Sequence, residues 1–342
     1  MIDGASPPIH CRGMLDHILL GAGPGPLVLL LFALAFVAYI GDPPLLYRVI
    51  PHPVAVMGRL VASFERRLNR RERSERNRRF RGFLVAVLLV GFAASVGWTI
   101  SRLAGAIAYG WLVELVIVMT LIAQRSLYLH VVAVARALEA DGLAGGREAV
   151  AHIVGRDPAN LDEYGVARAA IESCAENLSD GVIAPVLWYL ALGLPGLFAY
   201  KMLNTADSMI GHLSPRYEAF GATAAKLDAV ANYIPARLTA VLIALAAVAA
   251  PQASPLAAMK TALRDAGRHR STNAGWPEAA MAGALGLALA GPRRYGERLV
   301  KDAWMGDGRA RATARDIHPP LYVTALACAM NFALIAGLAV LF

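Results

Sequence analysis

Five stretches of the chain, residues 18–41, 82–101, 182–200, 238–259 and 319–342, contain no charged side chain. Each is near or above the ~20 residues that a helix needs to cross hydrocarbon. A fold surrounded by water has few ways to bury so much uncharged length, and composition agrees: 57% of the 342 residues are hydrophobic and 17% charged, outside the usual soluble range. The expectation is an all-α, polytopic integral membrane helical bundle, one membrane domain over residues 1–342, with re-entrant or interfacial helices and cytoplasmic loops. A sixth apolar segment, residues 111–135, holds Glu114 and Arg125. Their spacing is close to three helical turns, which predicts that both face protein rather than lipid.

The net charge is +8, and residues 59–81 carry ten arginines against three glutamates. Arginine-rich short connections stay on the cytoplasmic side, so this segment reads as a basic cytoplasmic loop. No stacking pattern or recognition motif accompanies the charge, and no nucleic-acid partner is expected. Cys11, Cys174 and Cys328 are odd in number and far apart, which implies neither a disulfide framework nor a zinc site. Residues 1–26 set Arg12 against Asp3 and Asp16 and read as a loosely ordered lead-in, not a cleaved signal. A first span then begins after Pro26 and stops at Gly41-Asp42-Pro43-Pro44. His52, between two prolines, is held extended and suits either a ligand contact or a structural turn. Residues 136–180 are expected on the cytoplasmic side, punctuated at Gly145-Gly146-Arg147 and Gly155-Arg156-Asp157-Pro158.

The chemistry concentrates between Arg168 and Gly211. If residues 163–180 are helical, Arg168, Glu172, Glu176 and Asp180 recur every four positions and share one drifting face. Three carboxylates at that spacing repel one another, and Asp180 sits at the negative end of the helix dipole. A solvated face capped by Gly181 is one account; a metal or cationic ligand at a membrane surface is the other. Asn204, Asp207, Ser208 and Gly211 share a second polar face. Between the two runs an uncharged segment broken by Gly193-Leu194-Pro195-Gly196, which predicts a re-entrant hairpin that keeps the two acidic faces together. Farther on, Asp228 and Asn232 stand one turn apart, Arg237 follows Pro235, and Ser271, Thr272 and Asn273 are placed to cap a helix or to hold a phosphate. The apolar stretch after them is too short to span. A last basic loop, 293–315, precedes the terminal span 319–342.

Nucleotide-loop, zinc-protease and serine-hydrolase motifs are absent, and Asp180-Gly181-Val182-Ile183-Ala184-Pro185 lacks the arginine expected of phospholipid-head-group transferases. Clustered carboxylates and amides beside basic residues suit a magnesium-dependent phosphate substrate. Gly41-Asp42-Pro43 with His52-Pro53-Val54 and Met57-Gly58, then AAIESCAENLSDGVIAP, NTADSMIG, LDAVANYIPARLTA and NAGWPEAAMAGALG, in that order, resemble the CobD/CbiB family of cobalamin biosynthesis over roughly residues 38–295. Ala229 departs from a second acid after Asp228, and Thr272 from a proline.

The resemblance implies a multi-pass enzyme of the bacterial inner membrane, active on its cytoplasmic side. Its activity would be that of an adenosylcobinamide-phosphate synthase, joining adenosylcobyric acid to aminopropanol O-phosphate at the expense of ATP, with other membrane-bound enzymes of the pathway as possible partners. It places the active-site segments at 136–237 and 260–295. Glu172, Glu176, Asp180 and Asp207 would hold Mg2+ and the ATP phosphates, while Lys201 and Arg237 stabilise the transferred group. Asp228 or Asp42 would accept the amine proton. His52, Arg168, Asn177, Asn204, Ser208, Asn232, Ser271 and Asn273 would contact substrate. Two rivals are a non-catalytic membrane sensor or scaffold, and a magnesium-dependent transferase acting on a lipid phosphate.

Overall fold

Among the described residues of the computed structural model (23–41, 47, 51–155, 157–212, 214–295, 298–300 and 302–342), four helical segments are long and apolar enough to cross a membrane. They are Glu75–Gly105, Trp111–Ala151, Glu163–Ile210 and Ala314–Leu341, and a bent pair, Ala222–Ala231 with Tyr233–Ala249 at 47°, makes a possible fifth. The all-α membrane bundle expected from composition is what the chain builds. Asp42 and Cys11 lie outside the described residues.

Helix α1 (Pro26–Tyr39) starts at a proline, as expected, but its 14 residues fall short of a full crossing. Helix α2 (Pro53–Leu68) is capped by His52, whose Nδ1 accepts from Val54 N at 3.1 Å. Helix α3 (Glu75–Gly105) follows a short turn, so the basic segment 59–81 is mostly helix–turn–helix and not a loop. Its turn is locked from below: Arg216 pairs bidentately with buried Glu65 at 2.9 and 3.0 Å, and Asn69 donates to Arg216 O at 3.0 Å.

The 111–135 segment is broken. Helix α4 (Trp111–Leu121) ends at Ile122, whose backbone is extended (φ −103°, ψ 113°), and α5 (Gln124–Ala151) begins anew. Glu114 and Arg125 therefore do not share a face. Glu114 Oε1 accepts from Tyr189 Oη at 2.8 Å, whereas Arg125 donates to Ala38 O at 3.3 Å.

Two glycines reverse the chain. Gly142, within α5, has φ 61° and ψ −149°; Gly193, within α7 (Ala184–Ile210), has φ 65° and ψ −152°. That region belongs essentially to glycine. Each reversal folds a helix back on itself, so that a Cβ on Gly146 would meet Leu138 Cδ2 at 2.3 Å and one on Gly196 would meet Trp188 O at 2.4 Å. The break expected at Gly193 is present; the one expected at 145–147 falls instead at Gly142. The second limb of α7 packs beside α3, where Gly82 and Gly97 leave room for Phe220 O and Leu194 O. Small residues permit such close approach in membranes.

Helix α6 (Glu163–Leu178) runs into a π-helical turn, Ser179–Ile183, and on into α7. Gly181 is therefore not a C-cap, contrary to one reading of the sequence. Helices α8 (Ala222–Ala231) and α9 (Tyr233–Ala249) form the bent pair. The uncharged window 238–259 is divided, because Pro251 and Gln252 (φ 60°) interrupt it before α10 (Pro255–Asp265). Helix α11 (Gly275–Leu285) and the terminal α12 (His318–Leu341) complete the bundle. Two short antiparallel ribbons form, β1 (Leu289–Ala290) with β4 (Trp304–Met305) and β2 (Arg293–Tyr295) with β3 (Arg298–Val300); β2, β3 and β4 stand in the region 293–315 expected as a basic loop, and β1 ends the apolar stretch before it.

Candidate active site

The reversal at Gly193 decides where the acidic residues go. Twenty residues of straight helix would hold Asp180 and Tyr200 about 30 Å apart, yet Tyr200 Oη donates to Asp180 O at 3.0 Å. The two limbs lie side by side, as the re-entrant expectation required, and their polar faces merge. Glu176 and Asp207 repel each other, Asp180 is repelled by both Glu176 and Asp228, and Asp207 acts on Asp228. The buried Lys201 ammonium attracts Asp180 and Asp228. Glu176 is exposed, Asp180 and Asp207 are half-buried, and Asp228 is buried; the cluster thus runs from surface to interior.

The elbow between α8 and α9 delivers Asp228 and Asn232, and α7 delivers the second amide, Asn204. Asn232 Nδ2 donates to Asp228 Oδ2 at 2.9 Å, and Asn204 Nδ2 approaches Oδ1 at 3.5 Å. Asn232 Oδ1 in turn accepts from Tyr200 Oη at 2.9 Å. Ser208 is exposed and donates to Asn204 O at 2.9 Å. Gly211 makes room for Asp207, since a Cβ there would lie 1.9 Å from Asp207 Oδ1.

The π turn brings Asp180 into this group. Such a turn interrupts the regular ladder and frees carbonyl oxygens for outside donors. Besides Tyr200 on Asp180 O, Ala123 N donates to Gly181 O at 2.9 Å. Ala123 belongs to the break between α4 and α5, so two irregular points of the backbone satisfy each other beside the acids. Periodicity assumes a regular helix and carries no signal for a π turn.

A second polar group lies next to the first. The Arg237 guanidinium sits over Tyr233 and Trp276, 3.4 and 4.7 Å from the ring centroids, and donates to Asn273 Oδ1 at 3.3 Å. Asn273 Nδ2 donates to Ala229 O at 2.8 Å, which ties this loop to the elbow residue next to Asp228. Ser271 Oγ accepts from Asn273 N and Ala274 N at 3.3 and 3.1 Å; these bonds close the turn ahead of α11, whose own N-cap, Ala274, has no side-chain cap, so the capping expected of Ser271, Thr272 and Asn273 is not made. His269 Nδ1 accepts from Ser271 N at 3.0 Å. Burial depresses the His269 pKa below its ordinary value.

Four expected site residues are engaged elsewhere. Glu172 is 5% exposed and its Oε1 accepts from Ala290 N at 2.8 Å, which anchors β1 to α6. Arg168 donates to Ala310 O at 2.5 Å and lies 5.6 Å from the Trp304 centroid. The face from Arg168 to Asp180 is thus divided: its first half holds the ribbon segment, and its second half joins the acidic cluster. Asn177 donates to Ser173 O and Oγ at 2.9 and 3.1 Å. His52 acts as a helix cap. Tyr200, absent from the expected site residues, is central; its only signal was a hydroxyl next to Lys201 where the apolar part of the limb gives way to Asn204, Asp207 and Ser208.

Among the described residues, no three Asp, Glu, His or Cys side chains stand close enough together to hold a metal ion by themselves. The four-carboxylate set therefore does not form a closed cage. The donors still fit magnesium, which takes one or two carboxylates and completes its shell with phosphate oxygens and water. Glu176, Asp180 and Asp207 supply hard oxygens, with Glu176 repelling both aspartates, and a cation relieves that repulsion.

The family model described as CobD/Cbib protein matches residues 30–324. The chain is 53% identical over 298 residues to a cobalamin biosynthesis protein CobD of Brucella suis biovar 1 (strain 1330), covering 86% of this chain and 91% of that protein. It is 50% identical over 319 residues to the protein of the same name from a Sinorhizobium species, covering 92% and 99%. Against that of Rhodobacter capsulatus identity is 46% over 280 residues, covering 82% and 85%. No solved structure matches.

Proposed function

The chain belongs to the CobD/Cbib family, and from that premise we propose that it is an ATP-dependent acid–amine ligase. It joins the free carboxyl of adenosylcobyric acid to (R)-1-aminopropan-2-ol O-phosphate and yields adenosylcobinamide phosphate. The observation that carries the reading is the convergence of Glu176, Asp180, Asp207 and Asp228 with Lys201 and two amides at the open end of the α6–α7 hairpin. A carboxylate is a poor acceptor for an amine because oxide is a poor leaving group. Transfer of the γ-phosphoryl group of ATP to the corrinoid carboxylate makes an acyl phosphate and ADP; the amine nitrogen then attacks the acyl carbon, the C–O bond to phosphate breaks, and the amine loses a proton.

Glu176, Asp180 and Asp207 would hold Mg2+, which would neutralise charge on the ATP phosphates. Lys201 lies beside Asp180 and Asp228, whose charges favour its ammonium form, and stabilises charge on the phosphoryl group in transit. Asp228, with both oxygens oriented by Asn232 and Asn204, receives the amine proton. Arg237, held flat by Tyr233 and Trp276, offers its remaining N–H groups to a phosphate, with Asn273 and Ser271 forming the adjoining wall. The enzyme works from the cytoplasmic side of a bacterial inner membrane, a reading that the arginines of α2 and the start of α3 support.

The test is direct. Purified protein with the corrinoid acid, ATP, Mg2+ and the amine phosphate gives one ADP and one amide per turnover by mass spectrometry. In cells, a deletion strain fed cobyric acid makes no cobalamin, and the same strain fed cobinamide recovers. Recovery on cobyric acid sinks the proposal. One observation favours a second reading, a transferase acting on a lipid phosphate. An apolar cavity of about 590 Å³ opens beside the cluster, lined by Trp188, Leu192, Tyr200, Leu203, Val230 and Ile234 among others. That reading requires a lipid product in the same assay without the corrinoid.

A further inference from the structure

Two carboxylates of the cluster sit at irregular backbone, Asp180 in the π turn and Asp228 in the last turn of α8 before the elbow, and one side chain touches both places. The Tyr200 hydroxyl shares its proton between Asp180 O at 3.0 Å and Asn232 Oδ1 at 2.9 Å. Its ring is 2% exposed and stacks on Trp188 with centroids 6.5 Å apart and planes 13° apart. Trp188 Nε1 donates to Ala231 O at 3.2 Å, so the ring partner is itself pinned to the elbow. With Oδ1 engaged by Tyr200, the Asn232 amide turns Nδ2 toward Asp228 Oδ2. Without that hydroxyl only the Asp228 carboxylate selects the amide's orientation, and Asn232 Oδ1 loses the donor that ties it to the π turn.

We propose that Tyr200 is a positioning residue that couples the π turn to the elbow and so holds Asp180 and Asp228 at a constant separation while substrate binds and reacts. The kinetic part of the test rests on the ligase reading given above; the exchange part does not.

Tyr200→Phe keeps the ring and its stack on Trp188 and removes only the hydroxyl. In lipid nanodiscs, hydrogen–deuterium exchange of residues 179–183 and 228–234 rises in this variant by about threefold or more, while residues 75–105 stay as in the parent, because loss of a local tie raises local opening. Asn232→Ala, which reaches the π turn only through Tyr200 in this chain of bonds, raises exchange at 179–183 as well. In the ligase assay each variant lowers kcat about 10- to 100-fold with KM for acid and amine within about threefold. The double variant is no worse than the poorer single, since both changes cut one chain. Unchanged exchange in either bridged segment overturns the proposal. So do multiplying losses in the double variant, or a raised KM at unchanged kcat. If the parent protein makes no amide, the ligase reading falls, and the exchange of 179–183 and 228–234 still decides the coupling.

Discussion

Glu172 and Glu176 stand one turn apart on α6 and do different things. Glu176 faces the acidic cluster and repels Asp207, whereas Glu172 holds the backbone of Ala290. Glu176→Gln and Asp207→Asn should therefore each cut turnover by about 100-fold or more while leaving the unfolding midpoint near that of the parent. Glu172→Leu, which removes the acceptor, should instead lower stability by the ~1.5–3 kcal/mol of a hydrogen bond to a charged group, and the midpoint with it; a thermal melt beside the ligase assay separates the two classes. A pH effect belongs to Asp265. Its carboxylate is 1% exposed, accepts from Arg264 at 2.6 and 2.8 Å and from Gly306 N at 2.9 Å, and the guanidinium holds its pKa below the usual aspartate range. A depressed folded value means that this contribution is complete above the unfolded value of ~3.9 and is lost as pH falls through the folded one. The stability gap between the parent and Asp265→Asn should hold from pH ~8 down to ~5 and close below ~4, which denaturation at stepped pH measures. The acids themselves were legible at this scale from type and spacing. Their division of labour was not, because the ribbon that captures Glu172 is more than a hundred residues away in sequence.

The α6–α7 hairpin shows what single elements decide. Gly193 adopts a backbone conformation closed to other residues, yet no atom crowds its missing side chain within 3.7 Å. Gly193→Ala should thus destabilise through backbone strain alone, by about 1–3 kcal/mol. Gly97→Leu on the facing helix should do so by overlap with Leu194 O, which lies 2.6 Å from an ideal Cβ. A useful contrast is Gly91, which has nothing within 4 Å and should accept alanine with little change in melting temperature. The proline and two glycines at 193–196 announced this reversal, because each disfavours continued helix. The reversal at Gly142 stood in a run of ordinary helix formers and was misplaced by a few residues. The break at Ile122 and Ala123 gave no signal at all, since apolar β-branched residues fit a membrane helix as well as its interruption.

For the molecule as a whole, the folded-back hairpin sets which end of the bundle carries chemistry. Both open ends of that hairpin, near Asn160 and near Ser208, should meet the same compartment. Single cysteines at Asn160→Cys and Ser208→Cys should be labelled by an impermeant thiol reagent only when the cytoplasmic face is open to it, and Ala106→Cys at the far end of α3 only from the other side. Native Cys174 and Cys328 are buried and should contribute little background. Opposite labelling of positions 160 and 208 would remove the site, since Glu176 and Asp207 could then not act on one substrate. Taken alone, the sequence determined the solvent the chain must live in, the helical class, the ordered motifs that identify its family and the acidic residue types. All of these follow from composition and local spacing, which are properties of short windows. Tertiary structure alone decided that Asp180, Asp207 and Asp228 converge, that Glu172 and Arg168 serve the ribbon instead, and that Tyr200 joins the π turn to the elbow. Those outcomes depend on where two glycines turn the chain and on how irregular backbone finds donors. No local window carries that information, because the partners are remote in sequence and meet only once the helices have packed.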